Sequence, residues 1–68
     1  MIVELNGRPT EFPEAATVET VVGALEVDPG RRGVAVAVDA EVVPRSEWAR
    51  RRLDDGARVE VLTAMQGG

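Results

Sequence analysis

Residues 17–27 read TVETVVGALEV, and the spacing of their apolar side chains decides what fold the rest of the chain has to make. Val18, Val21, Val22 and Leu25 fall at i, i+3, i+4 and i+7, which puts them on one face and predicts an amphipathic α-helix. Thr17 is placed to cap its N-terminus, and Glu19 sits near the positive end of the helix dipole. Gly23 inside the helix costs about 1 kcal/mol relative to Ala. Asp28, Pro29 and Gly30 stop it, since neither Pro29 nor Gly30 continues a helix. A single helix with one apolar face needs a sheet to cover that face.

Strand signals lie on both sides of it. Upstream, IVEL alternates apolar and polar residues, Asn6-Gly7 follows, and RPTEF returns. Asn-Gly between two such runs is a strong short-range hairpin signal, because both turn residues must take positive φ, and residues 1–12 are predicted to form a β-hairpin. Pro9 has no N–H to give a ladder, so the second strand belongs at an edge or turns that position outward. Downstream, GVAVAV carries β-branched and small residues on both phases, as expected of a central strand covered on both faces.

Asp39-Ala40 separates that run from a short strand, EVV, which Pro44 ends. SEWARRRL then allows one or two helical turns with Ser46 as cap, and Asp54-Asp55-Gly56 marks a turn before the last strand, ARVEVLTAM. In that strand Val59 and Val61 share a face and Leu62 takes the other. The order predicts an α+β fold, a mixed four- to five-stranded sheet wrapped across one main helix.

Composition narrows the function. A chain of 68 residues makes one domain, 1–68, that buries on folding only about 60% of the surface its unfolded form exposes. Cys and His are absent, which excludes disulfides and the usual zinc ligand sets, so hydrogen-bonded regular structure has to supply the stability. With one Ser, no nucleophile constellation for covalent catalysis is possible. The net charge of −4 repels phosphate backbones and argues against nucleic acid as a partner.

Arg50, Arg51 and Arg52 point different ways on a helical turn and read as a solvated positive face. Asp54 and Asp55 read as turn residues rather than a metal site, and Trp48, the one Trp, as packing at the core margin. No charged-then-apolar leader is seen and the apolar run Val34–Val38 is too short to span a bilayer, so the expectation is a soluble, cytoplasmic protein with no membrane partner. The sequence ends Met65-Gln66-Gly67-Gly68.

The order of elements is that of the β-grasp, or ubiquitin-like, plan, and AVAVDAEVVPRSEWARRRLDDGARVEVLTAMQGG resembles the ThiS family, the sulfur carrier proteins of thiamine biosynthesis. The resemblance is carried by VVPRSEW (Val42 to Trp48), by Asp55-Gly56 before the last strand, and by Gly67-Gly68. The family commonly has Asn-Gly where this chain has Asp39-Ala40, and often an acidic residue at the place of Ala57.

The resemblance implies a central last strand that projects a flexible tail, residues 65–68. Its chemistry follows from the α-carboxyl of Gly68, a group that titrates near about 3.5 and is a carboxylate at neutral pH. A ThiF-like adenylating enzyme, which itself binds ATP and Mg²⁺, would convert it to an acyl-adenylate. A cysteine-derived persulfide would replace AMP to leave a thiocarboxylate, and a ThiG-like thiazole synthase would accept the sulfur.

On this reading the chain is a carrier and co-substrate rather than an enzyme, and binds no cofactor itself. Gly67, Gln66 and Met65 enter the partner, and Leu62 is a contact on the sheet. Glycines suit a tail that threads a narrow slot because they lack Cβ. Two alternatives stay open: the small, sulfur-carrying subunit of molybdopterin synthase, and a ubiquitin-like binding or protein-modifying module that transfers no sulfur.

Overall fold

Asn6 and Gly7 both adopt left-handed backbone angles, φ 49° and 83°, and fold β1 (Ile2–Leu5) back onto β2 (Arg8–Glu11) with Leu5 opposite Arg8. Two positive-φ residues are what a tight hairpin turn compatible with strand twist requires. Pro9 lies opposite Glu4 on β2, which is the outermost strand of the sheet. The computed structural model describes residues 1–25 and 33–63. Within them the chain continues through α1 (Val18–Ala24), β3 (Val34–Val38), β4 (Glu41–Val43), a 3₁₀ turn at Arg45–Glu47, and β5 (Arg58–Thr63).

The five described strands form one sheet in the order β2-β1-β5-β3-β4. The last strand of the sequence is therefore the middle strand of the sheet, parallel to β1 (Glu4 opposite Arg58, Leu5 opposite Val59) and antiparallel to β3 from Val34–Thr63 through Val38–Val59. α1 covers one face. Val18, Val21 and Val22 meet Val3 and Leu5 of β1, Val36 and Val38 of β3, Val43 of β4, and Val59 and Val61 of β5 in a single apolar cluster that Phe12, Ala16, Trp48, Leu53 and Ala57 complete. Among the described residues no polar or charged side chain is buried in it.

The start of α1 shows why the chain enters the helix at Thr17. Its hydroxyl accepts from the Thr20 N–H at 3.4 Å and the Thr20 hydroxyl accepts from the Thr17 N–H at 3.1 Å, a reciprocal cap in which Thr20 does the work usually given to Glu or Gln. Two further amides that a helix leaves open are taken by the segment beside it: the Val18 N–H donates to the Arg51 carbonyl (3.0 Å) and the Glu19 N–H to that of Trp48 (3.1 Å).

Three expectations need correction. Leu25 is not on the buried face; it caps the helix, donates to the Val22 carbonyl three residues back, and is 37% exposed because the apolar stripe runs one position past the last helical residue. The stop at Asp28-Pro29-Gly30 lies outside the described residues. β3 is flanked by strands on both sides but covered on one face only, with Val36 and Val38 inward and Ala35 and Ala37 outward.

Ser46 caps nothing. The turn begins two residues earlier than that, with Pro44 at its head, and is a 3₁₀ turn, with the Glu47 and Trp48 amides donating to the Pro44 and Arg45 carbonyls. Trp48 follows and is buried at 3% exposure, its indole N–H donating to the Val43 carbonyl at 3.0 Å, while the Arg45 guanidinium lies over its ring at 4.7 Å.

Candidate functional site

Among the described residues, one face of the sheet is left uncovered. Strand alternation sends Val59 and Val61 toward α1 and leaves Arg58, Glu60 and Leu62 outside, with Leu62 67% exposed. Register then decides which side chains join Leu62. Ala35 lies directly opposite it on β3, Ala37 lies opposite both Glu60 and Val42, and Val42 on β4 is 72% exposed. Together Ala35, Ala37, Val42 and Leu62 make an apolar patch with a shallow depression of about 120 Å³, edged by Glu60. Two alanines on the middle of β3 keep the surface low between two larger side chains.

The other half of this face is charged. Arg58 donates from Nε to Glu4 Oε2 across the β5–β1 pair at 2.9 Å, and Glu4, Arg58 and Glu60 line an open hollow with Asp39, Ala40 and Gly56. Both partners of that ion pair are well exposed, so water screens it and it contributes little to stability. The charged half lies where β5 begins, and the apolar half lies where β5 ends. A partner seated on Leu62 and Val42 would thus be beside Thr63, the last described residue of the chain.

Of the residues picked out from the sequence, Leu62 is placed on this solvent face, and Met65, Gln66, Gly67 and Gly68 lie outside the described residues. Val42 was not picked out. Its position follows from β3–β4 register, which two-residue strand-turn patterns do not reveal. Asp55 serves the turn before β5, with Oδ1 accepting from the Ile2 N–H at 2.7 Å. Arg50 and Arg51 each find an acidic neighbour, Glu47 at 2.9 Å and Glu41 at 3.6 Å, as a solvated charged face does. The described residues hold no cluster of three or more metal-ligating side chains.

A mixed sheet curled over one helix, with the sequence's last strand at its centre and an open outer face, defines a β-grasp protein of the ubiquitin-like class. The sequence model of the ThiS family matches residues 3–68, and the chain belongs to that family. It is 32% identical over 56 residues to the sulfur carrier protein ThiS of Escherichia coli, a match that covers 81% of this chain and 85% of that one.

It is also 37% identical over all 68 residues to a thiazole synthase of Paramagnetospirillum magneticum, of whose length it spans only 20%. The crystal structure of the thiamine biosynthesis protein ThiS from Geobacter metallireducens superposes with a TM-score of 0.79 at 31% identity, with the whole of both chains covered. An NMR solution structure of a thiamine biosynthesis protein from the same organism gives 0.80 at 31% identity, covering all of this chain and 88% of the other.

Proposed function

We propose that the chain is a sulfur carrier of thiamine biosynthesis, working through the carboxylate of Gly68 and acting as a co-substrate of partner enzymes. The observation that carries this reading is the extent of the family match: it runs to residue 68 and so includes Gly67-Gly68, while the strand leading to that tail is the middle of the sheet and is held from both sides.

Chemically, one carboxylate oxygen attacks the α-phosphorus of ATP on a ThiF-like enzyme and pyrophosphate leaves. ATP and Mg²⁺ belong to that enzyme. The terminal sulfur of a cysteine-derived persulfide then attacks the acyl carbon and AMP leaves; a second thiol attacks the enzyme-side sulfur of the resulting S–S bond, forming a disulfide with it and freeing the thiocarboxylate. A ThiG-like thiazole synthase as acceptor is supported by the similarity of the whole chain to part of a protein of that name. Leu62 and Val42 form the docking patch, and Met65 and Gln66 lead into the slot that Gly67 and Gly68 must enter.

The test is to incubate the chain with ATP, Mg²⁺, a ThiF-like enzyme and a sulfur donor, and to weigh the intact protein. A gain equal to one oxygen exchanged for one sulfur, on the last residue, is the expected result, and a chain lacking Gly68 should show none. No gain in the full chain, beside a normal gain in an authentic ThiS protein, would remove the carrier reading. Supplying thiazole synthase together with the carbon substrates that take up the sulfur should next restore the original mass.

A further inference from the structure

β1 and β5 are bound by an orderly parallel ladder up to Asn6, where the backbone of β1 leaves the sheet. The Gly56 N–H donates to Ile2 O (2.7 Å), the Glu4 N–H to Ala57 O (2.9 Å), and the Asn6 N–H to Val59 O (2.9 Å). Asn6 then turns into the left-handed region, φ 49°, to start the hairpin, and its backbone is no longer in line for the next rung. Its carboxamide supplies that rung. Asn6 Oδ1 accepts from the Val61 N–H at 2.8 Å, and Asn6 Nδ2 donates to the Val61 carbonyl at 3.3 Å. One exposed turn side chain thereby satisfies both backbone groups of a residue 55 positions away, two residues before the end of β5.

Beyond Val59, Asn6 is the described attachment of β5 on the β1 side; on the other side β3 holds it as far as Thr63, opposite Val34. The carboxamide, together with β3 on the opposite side, therefore sets the direction of β5 up to Thr63. The geometry points to Asn6 as a positioning residue for acyl activation: it holds the last turn-side rung of β5 so that the chain beyond Thr63 arrives at a partner's active site in register. This inference rests on the carrier reading, since only a reaction at the end of the chain makes the exit direction matter. An error of about 1 Å in the placement of a reacting group can cost on the order of a hundredfold in rate.

Asn6→Gly is the sharp variant, because Gly accepts the positive φ of the turn and removes only the carboxamide. Asn6→Asp is the second: it keeps the acceptor for the Val61 N–H and sets an oxygen against the Val61 carbonyl. ATP–pyrophosphate exchange by a ThiF-like enzyme is followed against the concentration of the full chain, with circular dichroism showing that each variant is folded at the assay temperature. For Asn6→Gly, kcat should fall by about tenfold or more while KM stays within about twofold, because the apolar patch is untouched; Asn6→Asp should fall between it and the wild type.

Hydrogen exchange gives a readout free of activity, with the Val61 amide losing about tenfold or more of its protection while Val36 keeps its own. If Asn6→Gly is unfolded, Asn6→Asp decides. A folded variant with wild-type kcat, or a loss seen in KM alone, overturns the inference. Absence of exchange with the wild-type chain, beside exchange with an authentic ThiS protein, overturns the carrier reading and takes this inference with it.

Discussion

At Ala40 the chain does something its sequence disfavours. Val38 lies opposite Glu41, so the β3–β4 connection is a two-residue turn, and Asp39 and Ala40 both take positive φ, 49° and 69°. For a residue with a Cβ that conformation costs roughly 1–2 kcal/mol. Asp39 offsets part of this by binding β5 twice, its amide donating to the Arg58 carbonyl (2.8 Å) and its Oδ1 accepting from the Arg58 N–H (3.0 Å). Ala40 has no comparable contact and carries the strain uncompensated. Ala40→Gly should therefore raise stability by about 0.5–1 kcal/mol, the relief of strain exceeding the entropy that Gly adds to the unfolded chain. Urea unfolding at constant slope measures it, and a lower midpoint would show that Ala40 is held by something other than the turn. The Asp39-Ala40 pair reads in the sequence only as a break between strands; that both of its residues take positive φ becomes visible only in the angles.

Elements with local causes were legible from their own residues, whereas the central place of the last strand came only with the family resemblance. The first hairpin follows from Asn6-Gly7, and the start of α1 from Thr17 and the valine spacing, because both signals lie within a dozen residues of what they determine. That β1 pairs with β5 in parallel, or that the Arg51 and Trp48 carbonyls receive the first helix amides, depends on residues some thirty or more apart in sequence, and no period encodes it. The same limit hid Val42 and Asn6, whose roles arise from register. Ser46 was misplaced for a related reason: Pro44 already sets the φ that starts the turn, and burial of Trp48 tightens it to 3₁₀ form. In α1, Gly23 is a clean test of propensity, since a Cβ built there meets nothing within 4 Å and the residue is exposed. Gly23→Ala should stabilise by about 1 kcal/mol. In a domain this small that is a rise in Tm of about 4–8 °C. A fall on calorimetry would mean that Gly23 serves a contact the helix alone does not explain.

Across the whole molecule, the sheet separates two tasks by its two faces. The inner face is valine packed on valine and holds the fold, whereas the outer face carries Leu62, Val42 and two alanines at one end and the Glu4–Arg58 pair at the other. Folding alone gives no reason to keep two large apolar side chains more than 60% exposed on either side of the β3 alanines, and such patches are marks of interaction. Replacing both, Val42→Thr with Leu62→Thr, puts β-branched side chains suited to a strand at both sites and removes the apolar contact. Stability should change by no more than about 0.5 kcal/mol at each site, as at other surface positions. On the proposed carrier function, affinity for a ThiF-like adenylating enzyme should fall by about tenfold, the loss of one to two kcal/mol expected when a central interface contact is polarised. The loss should enter through KM, because docking precedes chemistry and the exit of β5 is unchanged, whereas Asn6→Gly should act through kcat with docking intact. Steady-state exchange kinetics on the double variant decides the matter: a wild-type KM would show that the enzyme grips some other surface, and a fall in kcat alone would show that the patch acts on the tail rather than on docking.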